Sequence, residues 1–315
     1  MIALAKAVKN YLSLRRGLGY KLKKDGNLLK QFVAFMKSER ASYITTQLAL
    51  RWAMQSTNAQ PAHRAARLRA VRIFAKHHSA SDPRTEVPPS DMLPHRARRR
   101  QPYIYGAQEI QQLVKKARQL SSTTGLRQWS HSTLLGLLAV TGMRISEALA
   151  LDRADVDLRA GVLTIRQTKF GKTRLVPVHP TTRDVLQDYL RRRDRIFPAV
   201  KTPGFFLSEW GTRLEGSRVR RAFYELSHEI GLRRVSDHHG PRIHDMRHTF
   251  AVETVLRWYR EGVDVEQRMP TLSTYLGHGH ISDTYWYLSS VPELLHLAAK
   301  RLDRSQGGIS HDNVG

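Results

Sequence analysis

Apolar residues recur every three or four positions along much of the chain, the period of a helix that buries one side. Leu28, Leu29, Phe32, Val33 and Met36 form one such stripe. Thr45 or Thr46 is placed to cap a second helix carrying Leu48 and Trp52, since a threonine oxygen can accept from the first free N–H groups. A third helix follows Pro61, with Leu68, Val71, Phe74 and Ala75 on its core side and Arg64, Arg67, Arg69, Arg72 and Lys76 expected on the other. Residues 1 to 80 therefore read as helical. The pattern then breaks: Pro83, Pro88, Pro89, Pro94 and Pro102 deny a continuous helix over 81–103, because proline lacks the N–H and clashes with the preceding turn.

Helical spacing returns with Ile110, Leu113, Val114 and Ala117, and the apolar run 134–140 predicts a buried helix. Residues 162–166 and 174–178 are β-rich and flank Lys169-Phe170-Gly171-Lys172, the pattern of a hairpin. Helices are expected over 182–193, 218–230 and 247–260. Ser290 with Glu293 forms a capping box ahead of Leu294, Leu295 and Ala298. The expected fold class is mainly α with a small β-hairpin or sheet (α+β). Its 315 residues exceed the ~250–300 at which one core stops growing. The expected division is a helical domain over 1–85, a basic linker over 86–103, a second domain over 104–305 whose last helix spans 291–302, and a flexible tail over 306–315.

Charge narrows the partner. Lys and Arg number 52 against 27 Asp and Glu, giving a formal charge of +25 and a pI near 10.8. An excess of that size suits a phosphate backbone, where neutralisation releases counterions; an anionic membrane surface or ribosomal RNA would satisfy charge alone. Arg96, Arg98, Arg99 and Arg100, beside His95, place a cationic cluster in the linker, fit either to follow phosphates or to be solvated. The five cations after Pro61 carry the same two readings, a DNA contact or a solvated face. The absence of cysteine excludes disulfides, thiolate catalysis and Cys-ligated zinc. The opening apolar stretch is broken by Lys6 and followed by Lys9, too short and too charged for a signal peptide, and no run approaches the ~18 apolar residues of a membrane span. A soluble cytoplasmic, nucleoid-associated protein with no membrane partner is expected.

Four local patterns carry chemistry. Thr141-Gly142-Met143-Arg144-Ile145-Ser146-Glu147 breaks an apolar helix and restarts it at an arginine, whose guanidinium needs an anion: Glu147 or a phosphate. Lys169 sits in the hairpin turn, where lysines are usually solvated. In His244-Asp245-Met246-Arg247-His248, His244 and Arg247 share a helix face, suiting an anionic ligand; the alternative is a surface histidine with Arg247 paired to Asp245. In Leu276-Gly277-His278-Gly279-His280, Gly277 can end a helix and leave His278 just beyond. Ser282-Asp283-Thr284-Tyr285-Trp286-Tyr287 follows, with Trp286 expected to pack. His278 and His280 lack acidic or cysteine partners at ligand spacing, so no metal or other cofactor is expected.

Taken together, Arg, Lys, His-x-x-Arg, Leu-Gly-His and Tyr in this order resemble the tyrosine recombinases, the phage integrase and Xer-like family. The resemblance covers roughly 104–302 and extends more loosely over 1–90, like that family's core-binding domain. It implies a catalytic set of Arg144, Lys169 (rather than Lys172), His244, Arg247, His278 and Tyr287, with Tyr287 as nucleophile and Tyr285 ranked second. The stretch 257–274 looks longer than the family's usual link before Leu-Gly-His. The implied activity is site-specific cleavage and rejoining of double-stranded DNA through a 3′-phosphotyrosine, associated with a mobile element. Two arginines can fork onto the non-bridging oxygens, and His278 can donate a further bond. His244 is the candidate base for a phenol that is mostly neutral at pH 7, and the resemblance makes Lys169 the acid. It also implies a tetrameric synapse on DNA, with the last helix docking on a neighbour instead of packing on its own domain. A type IB topoisomerase, which relaxes DNA alone, and a DNA-binding regulator without catalysis are the competing readings.

Overall fold

The computed structural model describes residues 2–56, 59–94, 101–166, 173–200, 202–234, 236–237 and 240–288, with backbone only at Ile2, Tyr287 and Leu288. The chain divides into two compact units, Met1–Arg100 and Gln101–Gly315.

The first unit contains α1 (Ile2–Gly17), α2 (Lys23–Ser38), α3 (Thr46–Met54) and α4 (Pro61–His78). Their stripes meet in a core that includes Leu4, Val8, Leu29, Phe32, Trp52, Val71 and Phe74. Thr45, not Thr46, caps α3, its Oγ1 accepting from Leu48 N at 3.2 Å. The five α4 cations do not lie on one side. A step of 100° per residue puts positions 64 and 67 in line with core positions 71 and 74. Accordingly Arg64 Nε donates to Ser56 O, and the Arg67 guanidinium lies 3.9 Å from the Trp52 ring centre while its Nη2 donates to Trp52 O. Arg69 and Lys76 are exposed and Arg72 is half-buried. Part of the stretch read as linker is held against this unit: Glu86 N donates to Ile44 O, and Leu93 packs on the core. The cluster Arg96, Arg98, Arg99 and Arg100 lies outside the described residues.

In the second unit, α5 (Ala107–Ala117) packs on α6 (Arg127–Thr141), which is buried on most sides and so forms the centre of the unit. After α7 (Ile145–Ala150) and a 3-10 turn, β1 (Val156–Asp157), β2 (Val162–Ile165) and β3 (Arg174–Pro177) form an antiparallel sheet in that order. Leu163 pairs with Val176 and Ile165 with Arg174. Alternation along β3 then puts Arg174 on the face of buried Val176, and leaves Leu175 64% exposed. Helices α8 (Pro180–Ile196), α9 (Gly216–Glu229), α10 (Asp245–Arg260), α11 (Val265–Leu276) and α12 (Ser282–Leu288) follow.

Helix α11 occupies the stretch that read only as a long link. Asp264 caps it by accepting from Glu266 N and Gln267 N, and Val265, Met269, Leu272 and Leu276 make its buried stripe. Pro270 inside it is exposed, and its ring removes one intrahelical hydrogen bond. Among the described residues, no helix is long and apolar enough to cross a membrane. The capping box at Ser290 and the helix expected over 291–302 lie outside them.

Candidate active site

Two helices of the second unit stop at glycines in the left-handed conformation: α6 at Gly142 (φ 60°) and α11 at Gly277 (φ 69°). A helix end leaves carbonyl oxygens without intrahelical partners and carries partial negative charge. Here those carbonyls receive arginines. Arg247, 2% exposed on the first turn of α10, donates from Nη1 to Gly142 O (2.9 Å) and from Nη2 to Leu276 O (2.7 Å). Arg144, at the start of α7, donates from Nη2 to Gly277 O at 3.1 Å. Each guanidinium therefore bridges separate elements, and each helix end is tied to residues distant in sequence. A Cβ at 142 would stand 2.5 Å from the Phe250 ring, and one at 277 would stand 2.8 Å from Arg174 Nη1, so that the arginine tip would have to shift.

Glu147 is the carboxylate of the cluster, its side chain 8% exposed. It accepts from Arg144 N (3.0 Å) and Arg144 Nη1 (2.8 Å), and from Arg174 Nη1 (3.1 Å) and Nη2 (2.7 Å). Burial alone would push its pKa up, but the Arg174 and Arg144 hydrogen bonds overcome this and hold it at about 2. Asp245 does not pair with Arg247. It is turned to Arg242, which donates from its backbone N and from Nη2, both at 2.9 Å.

Three histidines stand around the arginines. The His244 and His248 rings meet edge to face at 5.0 Å between centroids. Desolvation, then Arg247, lowers the His244 pKa. His248 falls to about 4 by desolvation and the neighbouring His244, and His278 to about 4 by desolvation and the Arg247 and Arg144 charges. His278 Nδ1 lies 2.7 Å from Oγ1 of the buried Thr284 on α12. Trp286 packs against the His248 ring at 5.5 Å and on the core formed by α10 and α11, as its expected packing role requires. Helix α12 is thus attached to the cluster at two points. Tyr287 follows Thr284 by three residues, one turn along the same helix face; its side chain is outside the described set. Tyr285 is 42% exposed.

Of the residues expected from sequence, Arg144, His244, Arg247 and His278 come together, Tyr287 lies on the attached helix, and Lys169 falls in the undescribed 167–172. Sequence reasoning passed over Arg174 and Thr284. The signal for Arg174 was present: an arginine two residues before Val176, on the inward face of a strand. Thr284 had none beyond its helical spacing to Tyr287. No three His, Asp or Glu side chains converge as a metal site among the described residues.

A helical unit whose helix ends fix two arginines among histidines, with a tyrosine-bearing helix clipped alongside, defines its class as a tyrosine recombinase. The chain belongs to the phage integrase family, whose sequence profile matches residues 105–293. It is 48% identical over 308 residues to y4rB of Sinorhizobium fredii, described as an integrase/recombinase, covering 96% of this chain and 98% of that one. It is 33% identical over 168 residues to the tyrosine recombinase XerC of Chlamydia caviae, covering 53% of this chain and 48% of that one. Among solved structures, the Tn1549 transposon integrase in complex with transposon right end DNA aligns with a TM-score of 0.67 at 16% identity, over 96% of this chain and 98% of the other. The XerH recombinase bound to palindromic difH substrate gives 0.63 at 19%, over 86% and 76%. These two establish likeness of fold, in agreement with the mainly helical class with a small sheet.

Proposed function

We propose that the chain cleaves and rejoins double-stranded DNA at a specific site through a covalent link to Tyr287, in the service of a mobile element. The observation that carries this is the pair of guanidiniums, Arg144 and Arg247, fastened to the ends of α6 and α11 beside the helix that bears Tyr287. Near-full-length similarity to the integrase/recombinase y4rB supports the mobile-element role.

In this reading the two arginines bind the non-bridging oxygens of the scissile phosphate, and His278 donates to the same oxygens, held in place by Thr284. As the Tyr287 oxygen attacks phosphorus, His244 takes the phenolic proton; its lowered pKa leaves it neutral and able to accept at neutral pH. Lys169 gives a proton to the departing 5′-oxygen. The product is a 3′-phosphotyrosine and a free 5′-hydroxyl. Because the diester bond is conserved, a second strand's 5′-hydroxyl can reverse the step, taking the phosphorus and returning the proton to Tyr287. Arg69, Arg72 and Lys76 on the outer side of α4 and the linker arginines Arg96, Arg98, Arg99 and Arg100 supply phosphate contacts, while Arg64 and Arg67 are engaged with Ser56 O and Trp52. Four protomers assemble on the paired sites, with the 291–302 helix reaching a neighbour.

The test is a nicked duplex that traps the covalent product, drawn from a site footprinted on DNA flanking the gene. Tyr287→Phe is expected to abolish the SDS-resistant adduct and leave specific binding nearly intact. An adduct of undiminished yield moves the nucleophile to Tyr285 or elsewhere. Arg144→Ala should slow cleavage ~10²–10³-fold. Relaxation of plasmids without two-site exchange would instead indicate a topoisomerase, and no adduct in the unsubstituted protein a binding regulator.

A further inference from the structure

We propose that Arg174 is a positioning residue for strand transfer: it takes up the charge of Glu147 so that Arg144 keeps its own for the phosphate. This rests on the role given to Arg144 above.

The two arginines bind Glu147 unequally. Arg174 lays both terminal nitrogens on the carboxylate, Nη1 on one oxygen and Nη2 on the other, at 3.1 and 2.7 Å. Arg144 gives it a single guanidinium N–H, from Nη1, and one more, from Nη2, to Gly277 O. A guanidinium carries five N–H donors, so these two bonds leave Arg144 with donors for an incoming anion. Exposure follows the same division: the Arg144 side chain is 27% exposed, that of Arg174 11%. One arginine is a buried counter-charge and the other faces the solvent from which substrate arrives. Two guanidiniums and one carboxylate sum to a single positive charge.

Without Arg174, Glu147 would remain buried with Arg144 as its only arginine. A carboxylate removed from water draws its remaining partner into a two-pronged pair. Arg144 would turn from Gly277 O toward Glu147, and the local charge would fall to zero. Arg174 also fills the space against Gly277 where a Cβ would stand, so it backs the turn whose carbonyl aims Arg144. Glu147, in turn, orients Arg144 through its backbone N–H as well as its side chain.

The prediction is one of dependence: Arg174 matters only while Glu147 is charged. Single-turnover cleavage of the nicked duplex by the full chain reads it directly. Arg174→Gln is expected to slow cleavage about 10²-fold, the effect of drawing a binding group about 1 Å out of place. Arg174→Lys keeps the charge and should stay within about tenfold of the unsubstituted rate. Glu147→Gln with Arg174→Gln leaves no charge to balance, and should react within about threefold of Glu147→Gln alone, the coupling expected of residues in direct contact. That last pair of variants decides the matter even if Arg174→Gln alone does not fold, because neither contains an unbalanced buried carboxylate. A further loss of about 10²-fold in the double variant, beyond Glu147→Gln, would overturn the proposal and make Arg174 a structural residue. Arg144→Ala in the same assay separates the two levels. Unchanged cleavage there removes the role of Arg144 itself; strong loss there together with an additive further loss in the double variant removes only the role of Arg174.

Discussion

Replacing Gly142 with alanine should damage both stability and cleavage, whereas the same change six residues earlier in α6 should be stabilising. At Gly142 the backbone has φ 60° and ψ 18°, a conformation that costs a residue with a Cβ ~1–2 kcal/mol. The new methyl would lie 2.5 Å from Phe250 Cδ1 and 2.9 Å from its Cγ, so the ring must move, at ~1–3 kcal/mol for overpacking. The sum, ~2–5 kcal/mol, corresponds to a fall of about 5–20 °C in Tm for a unit of this size. Gly136 is helical and a Cβ there meets nothing within 4 Å, so alanine should contribute ~0.5–1 kcal/mol by restricting the unfolded chain. Scanning calorimetry of the full chain distinguishes the two. Equal shifts for the two variants, or a loss below about 3 °C for Gly142→Ala, would refute the steric argument. Adduct formation well below the lowered Tm should also be slowed in Gly142→Ala, because the displaced carbonyl is the one that holds Arg247 Nη1.

Three further outcomes follow from the charges. Glu147 ionises at about 2 in the folded chain against an ordinary 4.5, so its ion pairs stabilise fully above the ordinary value and lose their effect as pH falls through the folded one; Glu147→Gln should flatten that acid limb of the Tm profile. His248 and His278 are held neutral down to about 4, so the stability they contribute is present above 6.5 and lost as pH falls toward 4; an anion in the site offsets this, and the Tm gain from sulfate, whose charge is constant over this range, should grow from about pH 7.5 to about 5.5, an idea that a flat gain would sink. Arg67→Ala should destabilise the N-terminal unit by ~1–2 kcal/mol through loss of the Trp52 contacts, while Arg69→Ala or Lys76→Ala should spare stability and reduce the salt dependence of DNA binding by about one phosphate each; calorimetry and binding titrations at several salt concentrations check both.

The periodic helices and the hairpin were legible because burial repeats faithfully along them. The Thr45 cap and the glycine stops at 142 and 277 were legible as residue chemistry. Helix α11 was not, since Pro270 masks a stripe that only its solvent-facing position permits. Nor was the division of the α4 cations: charge at 64 and 67 suggested an outer face, whereas their angular position places them over α3 and the loop after it. Sequence left Arg144 between Glu147 and a phosphate, and the structure shows why both had a claim: Glu147 is held by two arginines at once. The pairing of Asp245 with Arg242 in place of Arg247 depends on the turn entering α10, which no spacing rule specifies.

The inward placement of Arg174 also constrains how the sheet can vary. Moving β3 by one residue against β2 would exchange the environments of Arg174 and Leu175, sending an isobutyl group toward a carboxylate and a cation into water. Insertions or deletions at the crest between Ile165 and Arg174 leave that exchange unmade, but a single residue gained or lost between Arg174 and Pro177 does not. Relatives that keep this centre are therefore expected to differ in length at the crest and to agree along the strand.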